Sequence, residues 1–311
     1  MGLFGVVLLA STVHAVGAEE IGRLLLSAAR WAPLAALLEL ARIAMDAVAT
    51  RLVLGERARA IPLLRLIAAH IAAHGVMNVF PAGRGSSEIV KGTLLAPWLG
   101  VGPAVAMGTS NQANVLISSA IFSLPCAAAA AVVTGDERLP IAIVIHFVVL
   151  FLSGLGLRFA ATNPHVERFV ARRLPLLAPR LETFHSASRE APLLAWPPVL
   201  AMFAGRGLQT LEYAVLAHAV GIDVSVLSAL AVQGTNLVAA AVGVFVPGQL
   251  GSSEAVFALA AGALGTTAAR ATSVALLAHV LSFFWVGAGL LILLGWRRGP
   301  DGGAPGPRSG Q

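Results

Sequence analysis

The sequence predicts an all-α polytopic membrane protein, with about eight transmembrane helices and two short broken or re-entrant helices arranged as two inverted repeats. Three observations carry that prediction. The chain is 57% hydrophobic and only 12% charged, whereas a soluble domain usually carries about 25% charged residues. Its apolar runs are long enough to cross a bilayer. A polar, glycine-rich stretch interrupts the lipid-like sequence twice, in register with itself.

A helix needs about 20 apolar residues to cross the hydrocarbon core. Runs near that size occupy 2–18, 31–54, 61–80, 102–133, 139–160, 193–220, 224–246 and 271–296. The first, from Leu3 to Val16, has no basic segment before it and no convincing cleavage site, so it reads as a helix rather than a signal peptide. Segments 84–99 and 250–267 are too short or too polar for full crossings. They read as broken or re-entrant helices, which are tolerated only where protein or a water-filled cavity covers their backbone. Residues 1–298 then make a single membrane domain, and the Gly/Pro-rich tail 299–311 is expected to be disordered.

Charge supplies the orientation. The net charge of +6 comes from basic residues at the ends of apolar runs, which is a topology signal rather than a nucleic-acid footprint. The linker 161–190 is the most basic stretch, with Arg168, Arg172, Arg173, Arg180 and Arg189. It is expected on the cytoplasmic surface as an amphipathic segment interrupted at Pro175 and Pro179. Arg57, Arg59 and Arg65, and the Arg297–Arg298 pair, also favour the cytoplasm. All three groups share a side only if each short segment carries the chain back the way it came. The unit at about 31–133 and the unit at about 193–296 then have opposite orientations, joined by the connecting helix and linker 139–190, with both termini cytoplasmic. Inverted repeats with discontinuous helices are a signature of many secondary transporters.

The interrupting stretch reads Pro-Ala-Gly-Arg-Gly-Ser-Ser-Glu at 81–88 and Pro-Gly-Gln-Leu-Gly-Ser-Ser-Glu at 247–254, an offset of 247 − 81 = 166 residues. Asp46 and Glu212, and Gly55 and Gly221, recur at the same offset. Pro81 ends one helix. Ser86, Ser87 and Glu88 open the next, whose first N–H groups lack internal partners and can bind an anion such as a phosphate. Arg84 stands beside them, able to pair with that phosphate through two donors. The second copy has Gln249 and Leu250 where the first has Gly83 and Arg84, so the two sites are not expected to bind identically. Two readings of the glutamates stay open. With Gly85 or Gly251 as N-cap, Glu88 or Glu254 falls at N3 and caps its helix. An acid at membrane depth is also a functional candidate by default, here for proton-coupled gating.

The primary candidate substrate-binding residues are therefore Arg84, Gly85, Ser86, Ser87 and Glu88, with Gly251, Ser252, Ser253 and Glu254. Secondary candidates are Arg42, Asp46, Asn111, Asn114, Arg206, Glu212, Asn236 and His279. Arg42 and Asp46 share a helix face and can pair, as an ion pair or as a substrate contact. Asn111, Gln112 and Asn114 suit interhelical hydrogen bonds. His279, alone on an apolar helix, is expected to be packed. His70 and His74 have metal-ligand spacing, but no acid nearby in sequence completes a set. The single cysteine, Cys126, excludes a disulfide framework and a thiolate metal cluster. No Walker loop, Gly-x-Ser-x-Gly elbow or His-Glu-x-x-His is present, so no metal or cofactor is expected and the chain does not read as an enzyme.

Both copies of the stretch resemble the two motifs of a known family: Pro-Ala-Gly-Arg-Gly-Ser-Ser-Glu at 81–88 and Val-Pro-Gly-Gln-Leu-Gly-Ser-Ser-Glu at 246–254. The family is the flippase-like membrane region of lysylphosphatidylglycerol synthetases and its stand-alone relatives. The resemblance runs from about residue 2 to 296, and Arg51 matches a common arginine at the cytoplasmic end of its helix. It implies a lipid flippase-like transporter that moves an aminoacylated or glycosylated lipid across the bacterial inner membrane. The resemblance does not extend to a soluble aminoacyl-transferring domain, so the chain is not expected to make the lysyl lipid. Relatives in hopanoid and glycolipid pathways imply an alternative, a non-transporting subunit beside lipid-biosynthetic enzymes; a headgroup transferase is a further one. The chain departs from the family at Asn111-x-x-Asn114, where an Arg-x-x-Asp is usual, and at His279, where an arginine is common. Membrane lipids are the expected partners, and nucleic acid is not.

Overall fold

The computed structural model describes residues 2–80, 83–173, 178–189 and 194–296. Among them every regular element is a helix. Pro81, Pro175, the Arg180 side chain, Arg297, Arg298 and the tail 299–311 lie outside the described residues.

The chain opens with α1 (Gly2–Val16), which stops at Gly17, where φ is +112°. An amphipathic helix follows, α2 (Ala18–Ala28), with Glu19 and Glu20 in its first turn and Ile21 and Ala28 buried. A 3-10 turn over Ala29–Trp31 feeds α3 (Ala32–Leu54). The apolar runs of the sequence do not reveal α2, because its charges dilute the pattern between the first two of them. α3 ends at Gly55 (φ +54°), and a 3-10 segment, Gly55–Ala60, carries Arg57 and Arg59.

Next come α4 (Leu63–Met77), α5 (Gly83–Leu99), the 33-residue α6 (Val101–Val133) and α7 (Arg138–Thr162). The basic linker folds as α8 (Pro164–Arg173) and α9 (Ala178–Arg189). Pro179 is the second residue of α9, a position where a missing N–H costs nothing, so it opens that helix rather than interrupting one. Arg189 and Glu167 form an ion pair that ties α9 to α8. The chain finishes with α10 (Trp196–Ala219), α11 (Val226–Val242), α12 (Ser252–Ala260) and α13 (Ala268–Gly295).

Among the described residues, four stretches are long and apolar enough to cross a membrane: Ala18–Ala60, Val101–Val133, Arg138–Thr162 and Ala268–Gly295. The protein is therefore a membrane protein. α4 and α11 have 15 and 17 residues, or about 22 and 25 Å of helix, short of a core about 30 Å thick. Each stops where a motif begins.

Packing between distant parts of the sequence is extensive. α3 lies along α10, α4 packs on α13, and α11 packs on α6. One apolar cluster joins α10, α11, α12 and α13 through Leu216, Val232, Phe257 and Val274. A second joins α3 to α6 through Leu54, Leu66, Leu95 and Met107. A third joins α6, α7 and α11 through Phe122, Ile143 and Leu237. In lipid, helices hold together by close packing and polar contacts rather than by expelling water. The α4–α13 crossing fits that rule, since a Cβ on Gly289 would lie 2.8 Å from the Ile71 carbonyl oxygen and 3.1 Å from Gly75 Cα.

Candidate functional site

The second motif packs against the end of the helix that precedes the first. Gly248 lies so close to the end of α4 that a Cβ on it would stand 2.8 Å from the Asn78 carbonyl oxygen. Residues 248, 249 and 251 all have positive φ (+60°, +58° and +79°), which breaks the chain before α12 can start. Gly251 is the N-cap of α12 and Glu254 its N3 residue; the Gly251 N–H donates to Glu254 Oε2 at 2.8 Å. Ser252 Oγ donates to the Gln249 carbonyl at 2.8 Å. Of the two readings left open for Glu254, the capping arrangement is present. Its second oxygen lies 2.6 Å from His279 Nδ1 on α13. His279 is thus not a lone packed histidine: it binds a fully buried glutamate and faces a cavity.

The first copy is built differently. α5 already runs from Gly83, so Gly85 lies inside the helix and is not an N-cap. Glu88 does not cap. It accepts from Lys91 Nζ at 2.6 Å, and its Oε2 has no partner. Ser87 Oγ donates to the Arg84 carbonyl at 2.8 Å. Ser87, Glu88, Lys91, Asp46 and His70 line a small cavity of their own, of about 20 Å³.

A larger cavity, about 480 Å³, lies between the motifs. That is the size of a small-molecule site. Gly83, Arg84 and Gly85 reach it from the first motif, and Gly248, Gln249 and Ser253 from the second. Leu116, Leu150, Leu237 and Val244 give it apolar walls. Its charged lining is Arg42, Arg84, Arg206 and Glu39, a formal +3 − 1 = +2. The same three arginines, with Asp46, line one narrow crevice, so they converge.

Their partners differ. Arg42 is held by Glu39 through two contacts of 2.6 Å and by Asp46 at 3.1 Å. The Arg42–Asp46 pair read from the spacing exists, but Glu39 is the closer acid. Arg206 donates to Ser119 Oγ at 2.7 and 3.1 Å and to Gln209 Oε1 at 2.6 Å, with no carboxylate among its contacts. The Arg84 guanidinium makes no hydrogen bond or ion pair among the described residues. In a low-dielectric interior, cations left with neutral partners or none suit an anion.

The other candidates fall into two groups. Asn236 lines the cavity and accepts from the Tyr213 hydroxyl at 2.8 Å. Asn111 instead donates to Thr50 Oγ1 at 2.8 Å, an α6–α3 bond of the interhelical kind expected, and Asn114 is buried away from the cavity. Ser86, Gly251 and Ser252 do not line it either. Glu212 is buried on α10, and its Oε2 has no hydrogen-bond partner. Sequence reasoning missed Glu39, His146 and Tyr213, all on the cavity wall. Glu39 had a signal: it is the only acid among the residues of α3 N-terminal to Arg42, three positions before it.

The sequence profile of the lysylphosphatidylglycerol synthase TM region matches residues 2–289, a span that takes in both motifs and the cavity between them. No curated protein and no solved structure matches the chain. On that match, the chain belongs to the lysylphosphatidylglycerol synthase TM region family.

Proposed function

We propose that this chain is a flippase-like transporter, which moves a lipid with a phosphate-bearing, aminoacylated or glycosylated headgroup across the bacterial inner membrane. The observation that carries the reading is the cavity between the motifs, where Arg42, Arg84 and Arg206 converge, with Glu39 on the cavity lining and Asp46 in the crevice the three arginines share. A guanidinium buried in lipid without a counter-ion is costly. Arg84 has none in contact, and a lipid phosphate would supply it. The apolar walls at Leu116, Leu150 and Val244 suit the glycerol and upper acyl region, with the tails left in the bilayer.

Alternating access fits the element order. α3, α4, α5 and α6 recur as α10, α11, α12 and α13 at close to the 166-residue offset of the motifs. The contacts exchange accordingly: α4 meets α13, its counterpart α11 meets α6, and α3 meets its own counterpart α10. In this reading the two units are inverted, α5 and α12 are re-entrant, eight helices cross, and both termini are cytoplasmic. The cavity then sits on the interface between the units, as it does in many transporters.

The test is transbilayer movement of fluorescent lipids in proteoliposomes. Arg84→Ala is expected to slow an anionic lipid about 10-fold or more, the loss of one charge-assisted contact of roughly 1.5–3 kcal/mol. Intact protein that moves neither anionic nor cationic lipids in a headgroup-dependent way overturns the reading.

A further inference from the structure

Two sets of donors on the cavity wall have no acid of the protein to bind. The first is Arg84 and Arg206. Glu39 and Asp46 are both hydrogen-bonded to Arg42, so neither of the other two guanidiniums meets a carboxylate. The second set comes from α12 and α13. Ser253 is 6% exposed and lines the cavity, and its hydroxyl has no hydrogen bond among the described residues. It is the second residue of α12, in the turn whose N–H groups lack partners within the helix and favour an anion. Its neighbour in sequence, Glu254, holds His279, which lines the same cavity. Glu254 Oε1 is 2.6 Å from His279 Nδ1, and Glu254 Oε2 accepts from the Gly251 N–H. His279 Nε2 has no partner among the described residues. The carboxylate at Nδ1 supports the charged ring that can donate from Nε2. The two sets are separate: neither Ser253 nor His279 lines the crevice in which the arginines converge.

We propose that the cavity takes a headgroup with two phosphates, one held by Arg84 and Arg206 and the other by Ser253 and His279. The inference rests on the transport reading above and names its class of lipid. A phosphate at the arginines supplies the acceptors that Arg84 lacks and Arg206 finds only in neutral groups. It leaves the Ser253 hydroxyl and His279 Nε2 facing the cavity unpaired, and buried donors without acceptors are costly. A second phosphate satisfies them. The first set includes a residue of the first motif and the second set a residue of the second motif, so a two-phosphate headgroup bridges the motifs. A headgroup with one phosphate engages one of them. Two chemistries supply the pair: a diphosphate link between lipid and headgroup, and two phosphodiesters joined through a glycerol.

Binding to the purified full chain in detergent tests this without a transport step. The calorimetric probes are short-chain phosphatidylglycerol, with one phosphate, short-chain cardiolipin, with two, a prenyl diphosphate and inorganic diphosphate. Cardiolipin or the prenyl diphosphate is expected to bind about 10-fold or more tighter than phosphatidylglycerol, as one further charge-assisted contact would give. Whichever does so identifies the spacing of the phosphates. Ser253→Ala and His279→Gln are each expected to remove most of that preference with phosphatidylglycerol binding little changed. Ser253→Ala leaves the Glu254 cap and the His279 contact in place, so it reads the site even if His279→Gln fails to fold. Phosphatidylglycerol that binds as tightly as both two-phosphate lipids overturns the proposal. So does a preference that survives Ser253→Ala and His279→Gln, or a loss that is equal for lipids with one phosphate and with two. Inorganic diphosphate that binds as tightly as the lipids supports the two-phosphate site and overturns the lipid reading. Two-phosphate lipids that bind as expected yet do not move in proteoliposomes uphold the site while the transport reading falls.

Discussion

Lys91 reaches Glu88 at 2.6 Å one turn along α5, with both side chains about nine-tenths buried. Breaking a buried pair from one side leaves an uncompensated charge, at a cost of about 3–5 kcal/mol. Lys91→Met should therefore lower the unfolding midpoint in detergent sharply. The double variant Lys91→Met/Glu88→Gln should recover most of the loss, since no net charge is then left. A double variant no more stable than Lys91→Met would show that Glu88 does not depend on Lys91. The Gly-Ser-Ser-Glu block is identical in both copies, yet only Glu254 caps. The difference arises upstream. Left-handed backbone at Gly248 and Gln249 delays α12 to Ser252, whereas α5 starts at Gly83 and absorbs Gly85. A local motif could not reveal that. Nor could it reveal His279, whose partner lies 25 residues away on a different helix. Arg84 was legible, because an arginine in a break between apolar runs stands out without any structure.

At the scale of helices, the apolar runs located α3, α6, α7, α10 and α13 to within a few residues. They overstated α4 and α11, because apolar residues continue past the point where the motif turns the backbone. They also said nothing of which helices touch, since contact in lipid depends on small residues rather than on an apolar face. Two glycines two positions apart on α13 separate these effects. Gly289 abuts Ile71, Ala72 and Gly75 of α4, whereas a Cβ added at Gly287 would meet nothing within 4 Å. Gly289→Val should force α4 and α13 apart and destabilise by about 1–3 kcal/mol or more, as overpacking does. Gly287→Ala should be neutral or stabilising by up to about 1 kcal/mol, through helix propensity. Unfolding in detergent reads both, and equal effects at the two positions would mean that the α4–α13 contact does not hold the units together.

For the whole molecule, the decisive question is whether α4 and α5 return the chain to the side it left. α4 supplies about 22 Å of helix and α5, with 17 residues, about 25 Å. Neither is comfortable as a full crossing of about 30 Å, and the two lie side by side in contact. α6 is of another kind: its 33 residues make about 50 Å of helix, enough to cross the core and both headgroup layers. If α4 and α5 go in and come back, and α6 then crosses, Ala60 before α4 and Glu137 after α6 lie on opposite faces. If α4 and α5 each cross separately and in sequence, the same parity results, so the pair 60/137 tests α6 together with the two-helix return. A residue at the α4–α5 turn separates the two cases by depth. In a background with the buried Cys126 replaced, cysteines at 60 and 137 should label from the cytoplasmic and the external side respectively. A cysteine at Val79 should react from the external side if α4 crosses before α5 returns, and should resist membrane-impermeant reagents if the two turn back within the membrane. Labelling of 60 and 137 from one side would remove the inverted arrangement, and with it the alternating access that the cavity between the two motifs was proposed to serve.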